Sequence, residues 1–170
     1  QADAVKFQVF NVDHMISSEA QEWKERLGDR CLTSKEFSQL KDYCDESDII
    51  FLATPHDEFG LDILVDLDVP AYKIGSGELG NWPFLEKIAR LGKPIILSTG
   101  MYRLADVHKA VEVFDRGNNT EAALLHCVTA YPVPPKEVNL NVLALYRKTF
   151  GGVVGYSDHT EGSHIPLVAV

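Results

Sequence analysis

Lysine, histidine, serine and threonine recur in this sequence at the ends of short apolar runs, where a side chain can meet both the interior and solvent. The first run carries Lys6 and Gln8, and the second closes on Thr54 with Pro55, His56 and Asp57 behind it. The third carries Lys73 and Ser76, and the fourth Ser98 and Thr99. The fifth brings His126, Thr129 and Tyr131, and the sixth Ser157, Asp158 and His159. Cations together with hydroxyl and amide donors are what a phosphate or carboxylate requires of its site. Lys6 and Lys73 each interrupt an apolar strand pattern, and a buried ammonium is costly unless an anion meets it. That anion can be a ligand or a structural Asp or Glu. A single Ser or Thr at a strand end caps the next helix about as readily as it binds ligand, and a helix N-terminus itself attracts phosphate. Read alone, His159 is more often structural than a metal ligand. Tyr131, between Ala130 and Pro132, can equally pack as core rim, and Asp158 can be a helix cap. Glu78 and His126 read as structural hydrogen-bonding groups.

The runs that must position these residues are Ala4 to Val9, Ile49 to Ala53, Ala71 to Ile74, Pro94 to Leu97, Ala122 to Cys127 and Val153 to Gly155. They are rich in Val, Ile, Leu and Phe and too short for buried helices, so they read as strands covered on both faces, as in a parallel sheet. Between them lie amphipathic stretches. Thr33 and Glu36 form a capping box ahead of Phe37, Leu40 and Cys44. Asn81 is placed to cap a helix carrying Phe84, Leu85 and Ile88, which Gly92 ends. Leu104, Val107, Val111 and Phe114 form a third stripe stopped at Gly117, and Leu140, Leu143 and Tyr146 a fourth. A short helix is expected from Phe59 to Leu67, with Pro70 leading into the next strand. Residues 11–32 read as an extended polar loop with a helical turn near Trp23.

From the second run onward, strands recur about every twenty to thirty residues, the length of one βα unit. An open doubly wound sheet and a (β/α)8 barrel both fit that rhythm. The open sheet concentrates ligand chemistry at one switch point, whereas a barrel gathers every strand's carboxyl end around one mouth. Polar residues on six strand ends favour the barrel, and no Gly-x-Gly-x-x-Gly turn follows the first strand.

The chain has 170 residues, 45% hydrophobic and 24% charged, an ordinary globular mixture. Its net charge of -9 argues against nucleic acid as a partner. A few lysines in a cleft can still set a local field suited to a small anion. Cys31, Cys44 and Cys127 lack metal-ligand spacing and fit a reducing, cytoplasmic setting. No apolar run approaches the roughly 20 residues a membrane helix needs. The first residues read as the interior of a domain, so the natural N-terminus is expected upstream.

These strand ends resemble the sialic acid synthase family. The matching stretches are Ala4-Val5-Lys6-Phe7-Gln8, Thr54-Pro55-His56-Asp57, Lys73-Ile74-Gly75-Ser76-Gly77-Glu78 and Ser98-Thr99-Gly100-Met101. They continue through Leu125-His126-Cys127-Val128-Thr129-Ala130-Tyr131-Pro132 to Gly155-Tyr156-Ser157-Asp158-His159-Thr160. Each motif alone is weak, but six in order, each at a strand end, form a strong signal. The resemblance implies that residues 1–170 are a partial TIM-barrel catalytic domain, strands two to seven of the (β/α)8 barrel. The family's acidic residue and Asn-His pair on strand one, its Glu-Lys-His on strand eight and its C-terminal antifreeze-like domain are not in this sequence. Two departures stand out: His56 replaces a usual Phe, and Ser-His-Ile-Pro-Leu at 163–167 replaces a stretch richer in Ala.

The same resemblance implies condensation of phosphoenolpyruvate with an N-acetylated sugar, N-acetylmannosamine or a relative, to a sialic-type keto acid with release of phosphate. It assigns Lys6, Thr54, Lys73, Ser76, Ser98 and Ser157 to phosphoenolpyruvate, with Thr129 nearby where relatives carry Asn or Ser. Gln8 and Tyr131 fall to the sugar. His159 would ligate a divalent metal, Mn2+ or Mg2+, with a second histidine from strand eight. The rival readings are another phosphoenolpyruvate-condensing synthase of 3-deoxy sugar acids and a non-catalytic barrel fragment. The 170-residue chain alone is expected to lack synthase turnover, and the protein to self-associate as a homo-oligomer through exposed strand edges.

Overall fold

The computed structural model describes residues 2–119 and 121–170. They form two compact units, Gln1–Lys73 and Ile74–Val170. The first contains β1 (Ala4–Val9), α1 (Val12–Met15), α2 (Gln21–Gly28), α3 (Ser34–Glu46), β2 (Ile50–Pro55) and α4 (Glu58–Asp66). Strand β3 (Tyr72–Ile74) crosses the boundary. The second unit continues with a 3-10 turn at Ser76–Glu78, α5 (Trp82–Ala89), β4 (Ile95–Ser98), α6 (Leu104–Arg116) and β5 (Ala122–Cys127). After a 3-10 turn at Pro135–Glu137 come α7 (Asn141–Phe150), β6 (Val153–Ser157) and α8 (His164–Ala169).

In the first unit β1 and β2 pair in parallel, Ala4 opposite Ile50 through Val9 opposite Pro55. Phe51, Ala53 and Val9 are closed to solvent, and α3 and α4 cover β2 with Phe37, Cys44, Leu61 and Leu64. The capping box is present: Glu36 N–H donates to Thr33 Oγ1 at 3.3 Å and Thr33 N–H to Glu36 Oε2 at 2.7 Å. Asp57 caps α4, accepting from Gly60 N–H at 2.6 Å. A Cβ at Gly60 would lie 2.6 Å from the Val9 carbonyl oxygen, so only glycine lets α4 approach the end of β1 this closely.

The second unit is a four-stranded sheet in the order β3-β4-β5-β6. Parallel pairing sets Ile95 to Ser98 against Ala122 to Leu125, and Ala123 to Cys127 against Val153 to Ser157. Leu85, Ile88, Ile95, Leu97, Val107 and Val113 are fully buried. Each such side chain contributes on the order of 1.5–3 kcal/mol when removed from water. A polar clamp ties this core to the strand ends. Thr99 N–H and Oγ1 both donate to the Leu125 carbonyl at 3.0 Å. Tyr146 Oη on α7 donates to Thr99 Oγ1, also at 3.0 Å.

Three expectations change. Residues 11–32 hold two helices rather than an extended loop. Asn11 caps α1 through Asp13 N–H at 2.9 Å, and Lys24 on α2 meets Asp13 at 2.8 Å. Neither helix buries a residue fully, so no apolar stripe marked them. Asn81 precedes α5, but its amide donates to Glu78 Oε2 at 2.9 Å instead of capping. The second strand runs on to Pro55 and the sixth to Ser157, so Thr54 and Ser157 lie within strands rather than beyond them. Helix α8 carries Pro166 in its first turn, where a missing N–H costs nothing. Among the described residues no helix is long and apolar enough to cross a membrane.

Two measurements check this packing. Gly60→Ala is expected to destabilise the protein by about 1–3 kcal/mol, the usual range for forcing an extra methyl into a closed contact. Urea unfolding with an unchanged midpoint would show that α4 has room to move. A double-mutant cycle on Tyr146→Phe and Thr99→Val is expected to give a coupling of about 1 kcal/mol, that of one buried hydrogen bond. Simple additivity would mean that the Tyr146–Thr99 hydrogen bond contributes nothing to stability.

Candidate active site

In a strand, alternate side chains share a face, and paired residues of parallel neighbours point the same way. Lys6 stands opposite Leu52 and Gln8 opposite Thr54, so Lys6, Gln8 and Thr54 share one face of the first sheet. Two residues further on, the alternation reaches Phe10 and His56, and their rings meet edge-on with centroids 6.2 Å apart. Thr54 is buried, and so is Lys73, at 7% exposure despite its charge. Lys6 is exposed as a whole residue, yet partial desolvation lowers its pKa. The His56 imidazole is also lowered, chiefly by burial and then by the charge of Lys6, with Lys73 adding to the effect and Asp57 opposing it. The two lysines and His56 therefore share one electrostatic neighbourhood. Gln8 also borders a cavity of about 300 Å³ together with Phe10, Arg30 and Phe37.

In the second unit the loops after β4, β5 and β6 meet. Ser98 ends β4 and is buried. A Cβ on Gly100 would lie 2.5 Å from Thr129 Oγ1 and 3.1 Å from Cys127 Sγ, so the loops after β4 and β5 touch. Ser157 pairs with Cys127 in the ladder. Two residues later, His159 Nδ1 lies 2.9 Å from the Val128 carbonyl and 3.7 Å from Cys127 Sγ. The Tyr131 ring stands 4.2 Å from the His159 ring, and Val133 N–H donates to the His159 carbonyl at 2.9 Å. Thr129, Tyr131, Ser157 and His159 are thus assembled around the ends of β5 and β6. Ser76 opens the 3-10 turn directly after β3, beside β4 in the same sheet.

The structure separates the chemical from the structural alternatives at several positions. Among the described residues Thr54, Ser98 and Ser157 cap no helix. Tyr131 is 72% exposed, which rules out the core-rim alternative. Asp158 is not a helix cap, because Ser163 precedes α8. It instead closes a turn, accepting from Thr160 N–H at 2.9 Å and from Tyr156 Oη at 3.0 Å. Burial would raise its pKa, but hydrogen bonds from Thr160, Tyr156 and the His159 N–H together lower it. Burial, and then its hydrogen bond to Asp158, pushes the Tyr156 hydroxyl up to about 12. His126 is structural, its Nε2 lying 2.6 Å from the Val138 carbonyl.

Tyr102 was not anticipated. Its hydroxyl is buried without a hydrogen-bond partner among the described residues, and burial followed by the charges of Glu78 and Asp106 raises its pKa. The Glu78 carboxyl is itself raised by burial, against the bond from Asn81. His56 was also left out of the anticipated site, although counting by two from Lys6 and Thr54 reaches its position.

A carbonyl cannot donate, so in the neutral imidazole the Val128 contact places the His159 proton on Nδ1 and leaves the lone pair on Nε2. That arrangement fits a single metal ligand. No group of three or more His, Cys, Asp or Glu able to hold a metal occurs among the described residues. In the first unit a cavity of about 380 Å³ lies at the start of β2, lined by Lys41, Asp48, Ile50, Asp68 and Pro70, at the opposite end of that strand from Thr54.

The NeuB family profile matches residues 1–170. The N,N'-diacetyllegionaminic acid synthase of Campylobacter jejuni is 40% identical over 99% of this chain and 55% of its own length. The human N-acetylneuraminate-9-phosphate synthase is 34% identical over 99% of this chain and 50% of its own. The chain thus spans about half the length of these relatives. The crystal structure of N-acetylneuraminic acid (sialic acid) synthetase from Leptospira borgpetersenii, in complex with citrate, superposes with a TM-score of 0.94 at 33% identity. That match covers 99% of this chain and 58% of the other. The fold class is α/β with parallel strands, that of a partial (β/α)8 barrel. The chain belongs to the NeuB family.

Proposed function

We propose that the protein condenses phosphoenolpyruvate with an N-acetylated sugar, N-acetylmannosamine or a close relative, to give a sialic-type keto acid and phosphate. The observation that carries this reading is the face shared by Lys6, Gln8 and Thr54, with the charge of Lys73 acting in the same neighbourhood. Two ammonium groups beside hydroxyl and amide donors suit a ligand bearing both phosphate and carboxylate. The names of the relatives, a legionaminic acid synthase and an N-acetylneuraminate-9-phosphate synthase, support the same class of product.

In the proposed reaction C3 of phosphoenolpyruvate adds to the aldehyde carbon of the open-chain sugar, water adds at C2, and phosphate leaves. Lys6 and Lys73 hold the anionic ends and offset the charge that builds as phosphate departs. By the family resemblance, Thr54, Ser76, Ser98 and Ser157 would donate hydrogen bonds to phosphate and carboxylate oxygens, and Thr129 would add its hydroxyl. Gln8 and the exposed ring of Tyr131 offer an amide and an apolar face to the sugar. His159, its Nε2 lone pair available, would hold Mn2+ or Mg2+. A divalent metal there supplies Lewis-acid polarisation of the sugar's carbonyl oxygen. The reading includes a reducing, cytoplasmic setting, in keeping with Cys31, Cys44 and Cys127, which form no disulfide among the described residues.

Steady-state kinetics of Lys73→Met in the complete enzyme test the assignment. The expected result is a large rise in KM for phosphoenolpyruvate with a much smaller change for the sugar. Losing one buried charge-assisted contact is worth about 2–5 kcal/mol. An unchanged phosphoenolpyruvate dependence, with only the sugar's affected, would remove Lys73 from that role.

A further inference from the structure

His56 follows β2 directly and continues its ladder, its N–H donating to the Val9 carbonyl at 3.0 Å. Its half-buried ring lies against Phe10, on the face that carries Lys6, Gln8 and Thr54. The charged groups that act on it are Lys6 from β1, Lys73 from β3 and its chain neighbour Asp57. Asp57 is already engaged: it accepts from Asn11 N–H at 3.0 Å and Gly60 N–H at 2.6 Å, and lies 3.3 Å from the His14 imidazole on α1. The charges of both lysines thus act on the His56 imidazole, opposed by that of Asp57. Burial first, and then these lysines, hold its pKa below the ordinary 6.5. The imidazole is therefore neutral at neutral pH, with one nitrogen donating and the other accepting.

We propose that His56 is a ligand-binding residue of the anion site, taking up a proton from solvent when a phosphate- or carboxylate-bearing ligand sits beside Lys6 and Lys73. The inference rests on the reading of those lysines as anion-binding groups. A ligand with two or more negative charges reverses the field at the ring, and an opposite charge nearby raises a pKa by roughly 1–3 units. The imidazolium then offers the ligand a third cationic donor. Binding and proton uptake are linked, so affinity rises as pH falls from above the bound-state pKa to below the free-state one. Each unit of rise corresponds to about tenfold tighter binding by the protonated form.

NMR titration of the His56 Cε1 proton tests this directly, the resonance being assigned by its loss in His56→Phe or, should that variant not fold, in His56→Gln. Phosphoenolpyruvate is the probe, with inorganic phosphate as the second. The expected midpoint lies below 6.5 in the free protein and rises by roughly one unit or more at saturation. The same substitution is expected to flatten the pH dependence of affinity to that of the ligand's own ionisation. A midpoint unmoved or lowered while ligand is bound overturns the inference and leaves the anion site standing. Phosphoenolpyruvate that does not bind, or binds equally to Lys6→Met and Lys73→Met, removes the anion-site reading and this inference with it.

Discussion

Parallel pairing carries the carboxyl ends of neighbouring strands to the same edge of a sheet, and the chemistry of this chain depends on that alignment. Strands covered on both faces leave little room for polar side chains along their length. Functional groups therefore gather where the backbone stops pairing and turns toward a helix. In the first unit the register that sets Gln8 opposite Thr54 also places Lys6 and His56 on that face. In the second, the ladder that pairs Cys127 with Ser157 delivers His159 to the Val128 carbonyl and the Tyr131 ring. A slip of one residue would turn each of these side chains to the other face.

The polar residues at these ends divide into two groups. Thr99, His126, Asp57 and Asp158 direct their polar atoms into the protein, clamping strands, capping α4 and closing turns. Lys6, Gln8, Thr54 and Tyr131 present cationic, amide, hydroxyl and aromatic groups at the same edges without capping a helix among the described residues. The first group braces strand ends and turns, and of the second only Tyr131 lies in a loop. Thr99 shows the bracing most clearly. Its hydroxyl bridges α7 and β5, while the next residue, Gly100, must lack a Cβ for the loop bearing Thr129 to pass.

Much of this was legible in the sequence because the strong signals are local. The apolar runs marked the strands to within one or two residues, and Thr33 with Glu36 marked the start of α3. Lys73 was legible as a charge inside an apolar run, and the structure buries it together with Tyr72 and Ile74. Features set by tertiary contact were not legible. Helices α1 and α2 bury nothing fully and so have no periodic stripe. The side chain of Asn81 prefers Glu78 to the helix end, a choice between two nearby partners that composition cannot settle. The Tyr102 hydroxyl, without a partner among the described residues, and the lysine charges acting on His56 are set by tertiary packing.

The central claim is that the strand ends carrying Lys6, Thr54 and Lys73 receive the anionic substrate. A crystal structure of the protein with phosphoenolpyruvate tests it most directly. The account predicts phosphate and carboxylate density at the carboxyl ends of β1 and β2, within hydrogen-bonding distance of the Lys6 and Lys73 ammonium groups. Density at the opposite strand ends instead, in the cavity lined by Lys41, Asp48 and Asp68, would contradict it.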